Sequence, residues 1–187
     1  GLFVRRTNQA PQNVLPRISF IVAAYNEERI LKQKIENDLL IDYPRELLEY
    51  IVVSDGSSDS TAEIASEFKD RGVISLHSPE RRGKSAALNR AVAVASGQIL
   101  VFSDANSFFE RLSLRKLMSH FGDSAIGGVS GRKSISGLNN KRRASLGDLV
   151  YWEYESRLKN AESKLSSIPT ADGEIFALRK ELFSEIP

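Results

Sequence analysis

The feature that most constrains this chain is an alternation that repeats four times in the first 120 residues. A short run of apolar, largely β-branched residues is followed by a polar turn and then by helical periodicity. The runs are residues 18–23 (ISFIVA), 50–53 (YIVV), 73–76 (VISL) and 98–102 (QILVF). Consecutive apolar positions in so short a span predict strands buried on both faces. Between them, Leu31, Ile35 and Leu39 fall on one helical stripe, which Tyr43 and Pro44 should stop. Thr61, Ile64, Ala65 and Phe68 mark a second helix, with Ser60 and Glu63 placed for a capping box. Leu88, Ala91, Val92 and Ala95 mark a third helix after Gly83, which Gly97 should end. Leu114, Leu117, Met118 and Phe121 mark a fourth. A fifth strand over 126–130, a long helix over 144–165 and a last strand over 174–178 complete the expectation. Such alternation predicts an α/β fold around a mainly parallel sheet.

Composition narrows the function classes. The chain has 187 residues, 41% hydrophobic and 27% charged, which is one domain of ordinary globular type. It has no Cys, which excludes a disulfide framework, thiolate-bound zinc, an iron–sulfur cluster and a thiol nucleophile. No apolar run is long enough to span a membrane, and no signal peptide is visible. Gly1 stands where a Met would begin a full gene product, so a fragment is expected. The net charge is +2, but it is unevenly spread. Arg5, Arg6 and Arg17 have no acid among them, nor do Arg132, Lys133, Lys141, Arg142 and Arg143. An acidic body therefore carries two basic segments. These are either solvated stretches or contacts for a phosphate, a lipid surface or an acidic polymer. Nucleic acid is not expected, because the basic segments lack interleaved aromatics and no zinc-finger or RRM signature is present.

In parallel sheets, ligands bind beyond the carboxyl ends of the strands. Three polar clusters fall there: Tyr25, Asn26 and Glu27; Asp55, Gly56 and Ser57; Asp104, Ala105 and Asn106. Asp104 and Asn106, two apart in a tight turn, could offer two oxygens to magnesium or manganese. The same residues also suit a plain strand-to-helix connection. Arg81, Arg82, Gly83, Lys84 and Ser85 precede a helix whose N-terminus suits phosphate, although the Walker A spacing is absent. There is no Gly-x-Gly-x-x-Gly after the first strand and no Gly-x-Ser-x-Gly, so neither a nicotinamide dehydrogenase nor a hydrolase triad is supported. His77 and His120 form no metal-ligand pair. Tyr151, Trp152 and Tyr154 are expected to pack the long helix, with sugar stacking as the alternative.

Four stretches occur in a telling series: residues 18–28 (ISFIVAAYNEE), 53–61 (VSDGSSDST), 82–89 (RGKSAALN) and 101–106 (VFSDAN). In order and spacing the chain resembles the inverting family-2 glycosyltransferases over roughly residues 16–180. The resemblance implies a GT-A fold, a Rossmann-like three-layer α/β/α arrangement with a mainly parallel central sheet. Residues 17–187 would be that domain and residues 1–16 a basic linker. It implies transfer of a sugar from a nucleotide-diphosphate donor, UDP-linked by expectation, to a hydroxyl acceptor. Ala24, Tyr25, Glu27 and Asp55 would hold the nucleoside, and Lys84 would sit near the nucleotide. Asp104 would be the first acid of the family's Asp-x-Asp motif. It would orient ribose or sugar and, with Asn106, help hold Mg²⁺ or Mn²⁺ against the diphosphate. Asn106 replaces the motif's second acid, which should weaken the cation's hold.

The resemblance also implies what lies further along. Asp172, Gly173 and Glu174 would contact acceptor or sugar. In similar enzymes the following segment brings the acidic pair that supplies the general base, so the base is expected beyond Pro187 and this chain alone should not turn over. Arg5, Arg6, Leu15, Pro16, Arg17 and Ile18 resemble the junction after a membrane helix in polysaccharide and glycolipid synthases. That places the longer protein at the cytoplasmic face of the cell membrane. Two alternatives stay open. A nucleotidyltransferase of related fold would want a Gly-rich loop after the first strand, which is absent. A non-catalytic nucleotide-sugar binding module would need no base.

Overall fold

The structure of the chain is a computed structural model that describes residues 15–131 and 175–187. The basic segment over 132–147, the long helix expected over 144–165, the aromatics Tyr151, Trp152 and Tyr154, and the trio Asp172, Gly173 and Glu174 lie outside those residues, as does the linker up to residue 14.

Within them the elements run β1 (Ile18–Ala24), α1 (Glu28–Asp38), β2 (Leu48–Asp55), α2 (Thr61–Glu67), β3 (Val73–Ser78), α3 (Lys84–Val94), β4 (Ile99–Asp104), α4 (Ser113–Met118), β5 (Gly128–Ser130) and β6 (Ile175–Arg179). All six expected strands are present, with ends shifted by a few residues. They form one sheet in the order β3-β2-β1-β4-β6-β5. The first four are mutually parallel, and β6 runs antiparallel between β4 and β5.

Alternation along the strands divides the core between the two faces. Phe20, Val22, Tyr50, Val52 and Val101 meet Leu31 and Ile35 of α1, Ala65 and Phe68 near α2, and Leu114 and Met118 of α4. On the other face Ile21, Ile51, Val53 and Leu100 meet Ala87, Ala91 and Val92 of α3. Full burial of each Ile or Leu contributes roughly 1.5–3 kcal/mol. The result is the three-layer α/β/α arrangement.

Local departures have identifiable causes. α1 ends at Asp38, before Pro44 is reached. The chain tightens there into successive short turns, with the Leu40 N–H donating to the Asn37 carbonyl (3.1 Å) and Ile41 to Asp38 (3.1 Å). The expected capping box does not form, since the Ser60 side chain makes no cap bond. Asp59 does the work one residue earlier, its Oδ1 accepting from the Thr61 N–H (3.0 Å) and hydroxyl (2.5 Å). An ionised carboxylate is the stronger acceptor.

Gly97 is not the cap of α3. The helix ends at Val94 and Ala95 is already extended. Gly97 lies against β1, where a Cβ would stand 2.4 Å from the Ser19 nitrogen and 2.5 Å from the Ile18 carbonyl carbon. Its N–H donates to Ser19 Oγ (2.8 Å). A methyl group there must push on backbone. Gly97→Ala should destabilise the fold by about 1–3 kcal/mol, read from urea unfolding at neutral pH. A change below about 0.5 kcal/mol, the range of neutral surface substitutions, would show that the approach is looser than this.

Candidate active site

Parallel pairing in register brings three strand ends to one edge. Ala24 lies beside Ser54, and Ala23 lies beside Asp104. The loops that follow are stitched together. Asn26 takes a left-handed backbone conformation (φ 53°), which asparagine tolerates better than most residues. Its N–H donates to Ser57 Oγ (3.2 Å), and its Oδ1 accepts from the Ser58 N–H (2.9 Å). The Glu27 N–H donates to Thr61 Oγ1 (2.8 Å) and the Glu28 N–H to Asp59 Oδ2 (3.1 Å). Glu27 then opens α1, its carbonyl accepting from Ile30 and Leu31. Tyr25 and the second loop thus share one wall.

Asp55 is buried (4% exposed) and anchors the turn before α3. Its Oδ2 accepts from the N–H groups of Arg82 (2.9 Å) and Gly83 (2.7 Å), and its Oδ1 from Arg90 Nη2 (2.7 Å). Burial alone would raise its pKa, but these donors outweigh burial and hold it below the ordinary 3.8. Gly56 makes the close approach possible. At φ +67° a Cβ would lie 2.5 Å from the Arg81 nitrogen. Arg81 in turn lays its guanidinium on the Tyr25 ring, 3.8 Å from the centroid.

Lys84, the first residue of α3, reaches across to β4 and pairs with Asp104 Oδ1 at 2.5 Å. Both side chains are substantially exposed, at 64% and 42%. Among the described residues, Asp104 Oδ2, the Asn106 amide and the Glu27 carboxylate have no partner. No group of three acidic or imidazole side chains converges among the described residues. The donor set is therefore a carboxylate and an amide oxygen at an open edge. That fits a hard divalent cation which takes most of its ligands from a bound phosphate. It does not fit an all-protein metal cage.

The structure thus brings Ala24, Tyr25, Glu27, Asp55, Lys84, Asp104 and Asn106 to one sheet edge. Sequence reasoning missed Arg90, which holds Asp55 from the second turn of α3, and the stacking of Arg81 on Tyr25. No local spacing signals the first, since Arg90 and Asp55 stand 35 residues apart.

The comparisons now have a geometry to meet. Residues 19–187 match the model of Glycosyl transferase family 2. The chain belongs to that family. It is 28% identical over 181 residues to the probable glycosyltransferase YdaM of Bacillus subtilis (strain 168), covering 92% of this chain and 42% of that protein. It is 29% identical over 172 residues to the poly-beta-1,6-N-acetyl-D-glucosamine synthase of Staphylococcus aureus (strain COL), covering 89% and 40%. Among solved structures it resembles the mannosyltransferase PcManGT from Pyrobaculum calidifontis, in complex with GDP-Man and Mn²⁺. That match has a TM-score of 0.76 and 31% identity over 91% of this chain and 46% of the other. The chain thus spans less than half the length of these relatives. The fold is that of the GT-A glycosyltransferases.

Asp55→Asn tests the anchor. It places a side-chain N–H either against the Arg82 and Gly83 donors or against Arg90, and it removes the charge opposite Arg90, so stability at pH 7 should fall by about 1–3 kcal/mol. The wild-type carboxyl is more acidic when folded than unfolded. Its contribution is therefore complete above the ordinary value of 3.8 and is lost as pH falls through the lower folded value. The gap between wild type and variant should narrow from pH 7 to pH 3 in urea titrations. An unchanged gap would refute the ionic anchor.

Proposed function

We propose that this chain carries the donor-binding part of a glycosyltransferase that moves a sugar from a nucleotide-diphosphate donor to a hydroxyl acceptor with inversion. The observation that carries the reading is the Lys84–Asp104 pair. It sets a cation and an open carboxylate at the mouth of the edge that Tyr25 and the Asp55-anchored turn also line. A solvent-exposed ion pair contributes only about 0–1 kcal/mol, so both partners exchange readily for a diphosphate and its cation.

Ala24, Tyr25 and Glu27 face the nucleoside. Asp55 holds the turn that carries Lys84, and its Oδ1 retains acceptor capacity beyond Arg90. Lys84 neutralises charge on the diphosphate. Asp104 and Asn106 would hold Mg²⁺ or Mn²⁺, which when bound supplies Lewis-acid stabilisation of the leaving diphosphate. Charge built up on the leaving group is what such a site must meet. Asp172, Gly173 and Glu174 contact the sugar or the acceptor. The name of the S. aureus relative supports a polysaccharide product, with a glycolipid as the alternative, and the arginines at Arg5, Arg6 and Arg17 support work beside a membrane. Among the described residues no helix is long and apolar enough to cross one.

The donor base is read as uracil. The GDP-Man of the solved mannosyltransferase makes guanine the alternative to test beside it. Thermal shifts with UDP, UDP-glucose, UDP-N-acetylglucosamine and GDP-mannose, with and without Mn²⁺, decide. At a ligand concentration 100 times its Kd the expected stabilisation is about 2.7 kcal/mol, or roughly 5–10 °C for a chain of this size. It should need Mn²⁺ and shrink sharply in Asp104→Ala. If no nucleotide shifts the melt, or Asp104→Ala changes nothing, the site is wrong.

A further inference from the structure

Beneath the Asp104 turn lies a lysine that no role above has used. Lys34 of α1 is completely buried, and so is its neighbour Asp38, four residues on. Buried lysines are rare and are held by partners. Lys34 Nζ donates to Asp38 Oδ1 (3.1 Å), to Ser103 Oγ (3.0 Å) and to the Ser107 carbonyl (2.5 Å). It also lies 4.1 Å from the Phe109 ring centroid. Tyr50 donates its hydroxyl to Asp38 Oδ2 (2.7 Å) and completes the charge-bearing group from the sheet side.

Ser103 and Ser107 bracket the turn that carries Asp104 and Asn106. One ammonium therefore grips both ends of that turn. Ser103 Oγ passes a further hydrogen bond to the Asp104 carbonyl (3.1 Å), and the Ser107 N–H closes the turn on the same carbonyl (3.2 Å). Asn37, beside Lys34 on α1, clamps the next residues. Its Oδ1 accepts from the Phe109 N–H (2.9 Å) and its Nδ2 donates to the Phe109 carbonyl (3.2 Å). The C-terminal half of α1 thus holds the end of β4 and the segment after it, at residues 103, 107 and 109.

We propose that Lys34, assisted by Asn37, is a positioning residue that sets where Asp104 and Asn106 stand for the donor's diphosphate and its cation. This rests on the reading of Asp104 given above. A plain core role would be met by an apolar side chain of like size, and such replacements of buried ion pairs are often neutral or stabilising. The geometry here needs a donor with several hydrogens, which a lysine supplies and a methionine does not.

The test uses the 187-residue chain, its Lys34→Met and Asn37→Ala variants, and Asp104→Ala. Calorimetry measures affinity for UDP and GDP with Mn²⁺, and for UMP and GMP in EDTA. In the wild type Mn²⁺ should strengthen binding of the preferred diphosphate, and Asp104→Ala should abolish that gain. Lys34→Met should reduce the Mn²⁺-dependent gain at least tenfold while leaving monophosphate binding within twofold. Asn37→Ala should reduce the gain in the same direction, and it decides the matter if Lys34→Met fails to fold. If wild type gains nothing from Mn²⁺, or Asp104→Ala keeps the gain, the site reading fails and the inference with it. If both behave as expected but the α1 variants keep the full gain, or lose both kinds of binding alike, the positioning role alone is overturned.

Discussion

Everything at this site depends on the pairing of β1 with a parallel neighbour on each side. Ile18 sits in register with Leu48 of β2 and with Ile99 of β4. Parallel neighbours cannot be joined by a tight hairpin, so each connection must cross over the sheet. Every loop at the carboxyl edge then leaves from nearly the same level. β1 is buried over almost its whole length, which excludes polar function from its body and pushes it to the ends. Ser19 is the exception, and its hydroxyl is engaged with Glu49 (2.5 Å) and Gly97 (2.8 Å) at the opposite edge, where it locks the turn into β4.

The carboxyl edge holds two aspartate ion pairs of opposite character. Asp55 is nearly sealed and all three of its donors are fixed. Removing a partner from such a group leaves a charge without compensation, which is costly. Asp104 is open to solvent and has one flexible partner. Its pair with Lys84 is weak because water competes for both groups. The first pair builds the turn between β3 and α3. The second waits at the end of that turn with charges to spare. On the proposed reading, the sealed pair keeps the site's shape and the open pair exchanges for the donor's diphosphate.

Much of this was legible in the residues. Apolar runs of four to six residues located the strands because both faces of the sheet are covered, and the stripes at 31, 35 and 39 and at 114, 117, 118 and 121 located helices by their buried face. The clusters after β1, β2 and β4 were legible as a site once the sheet was read as parallel. What failed was decided by tertiary contact. Gly97 has the chemistry of a cap but is required by its distance to β1. Ser60 and Glu63 have the spacing of a capping box, yet Asp59, one residue earlier, accepts from Thr61 in its place. Arg5 and Arg6 of the expected membrane junction, and the residues from Asp172 to Glu174, lie outside the described residues.

Lys34 shows most clearly where pattern reading stops. Leu31, Lys34, Ile35 and Asp38 are all buried on α1, and their spacing is the i, i+3, i+4, i+7 of a helix face. A polarity scale discards the second and fourth because charged residues belong outside. The overlooked signal was that opposite charges four apart stood on the apolar stripe itself, where only a paired and hydrogen-bonded group can survive. Burial pushes the Asp38 carboxyl up to about 6 against the pull of Lys34 and Tyr50, and the Lys34 ammonium lies within a hydrogen bond of it (3.1 Å). α1 therefore does more than cover the sheet. Its N-cap residue Glu27 is tied to Thr61, the first residue of α2, and its C-terminal half, through Lys34 and Asn37, grips the end of β4 and the segment after it. One eleven-residue helix thus ties the start of α2 to the turn that carries Asp104, and on the proposed reading it sets the spacing between the nucleoside and the cation at the diphosphate.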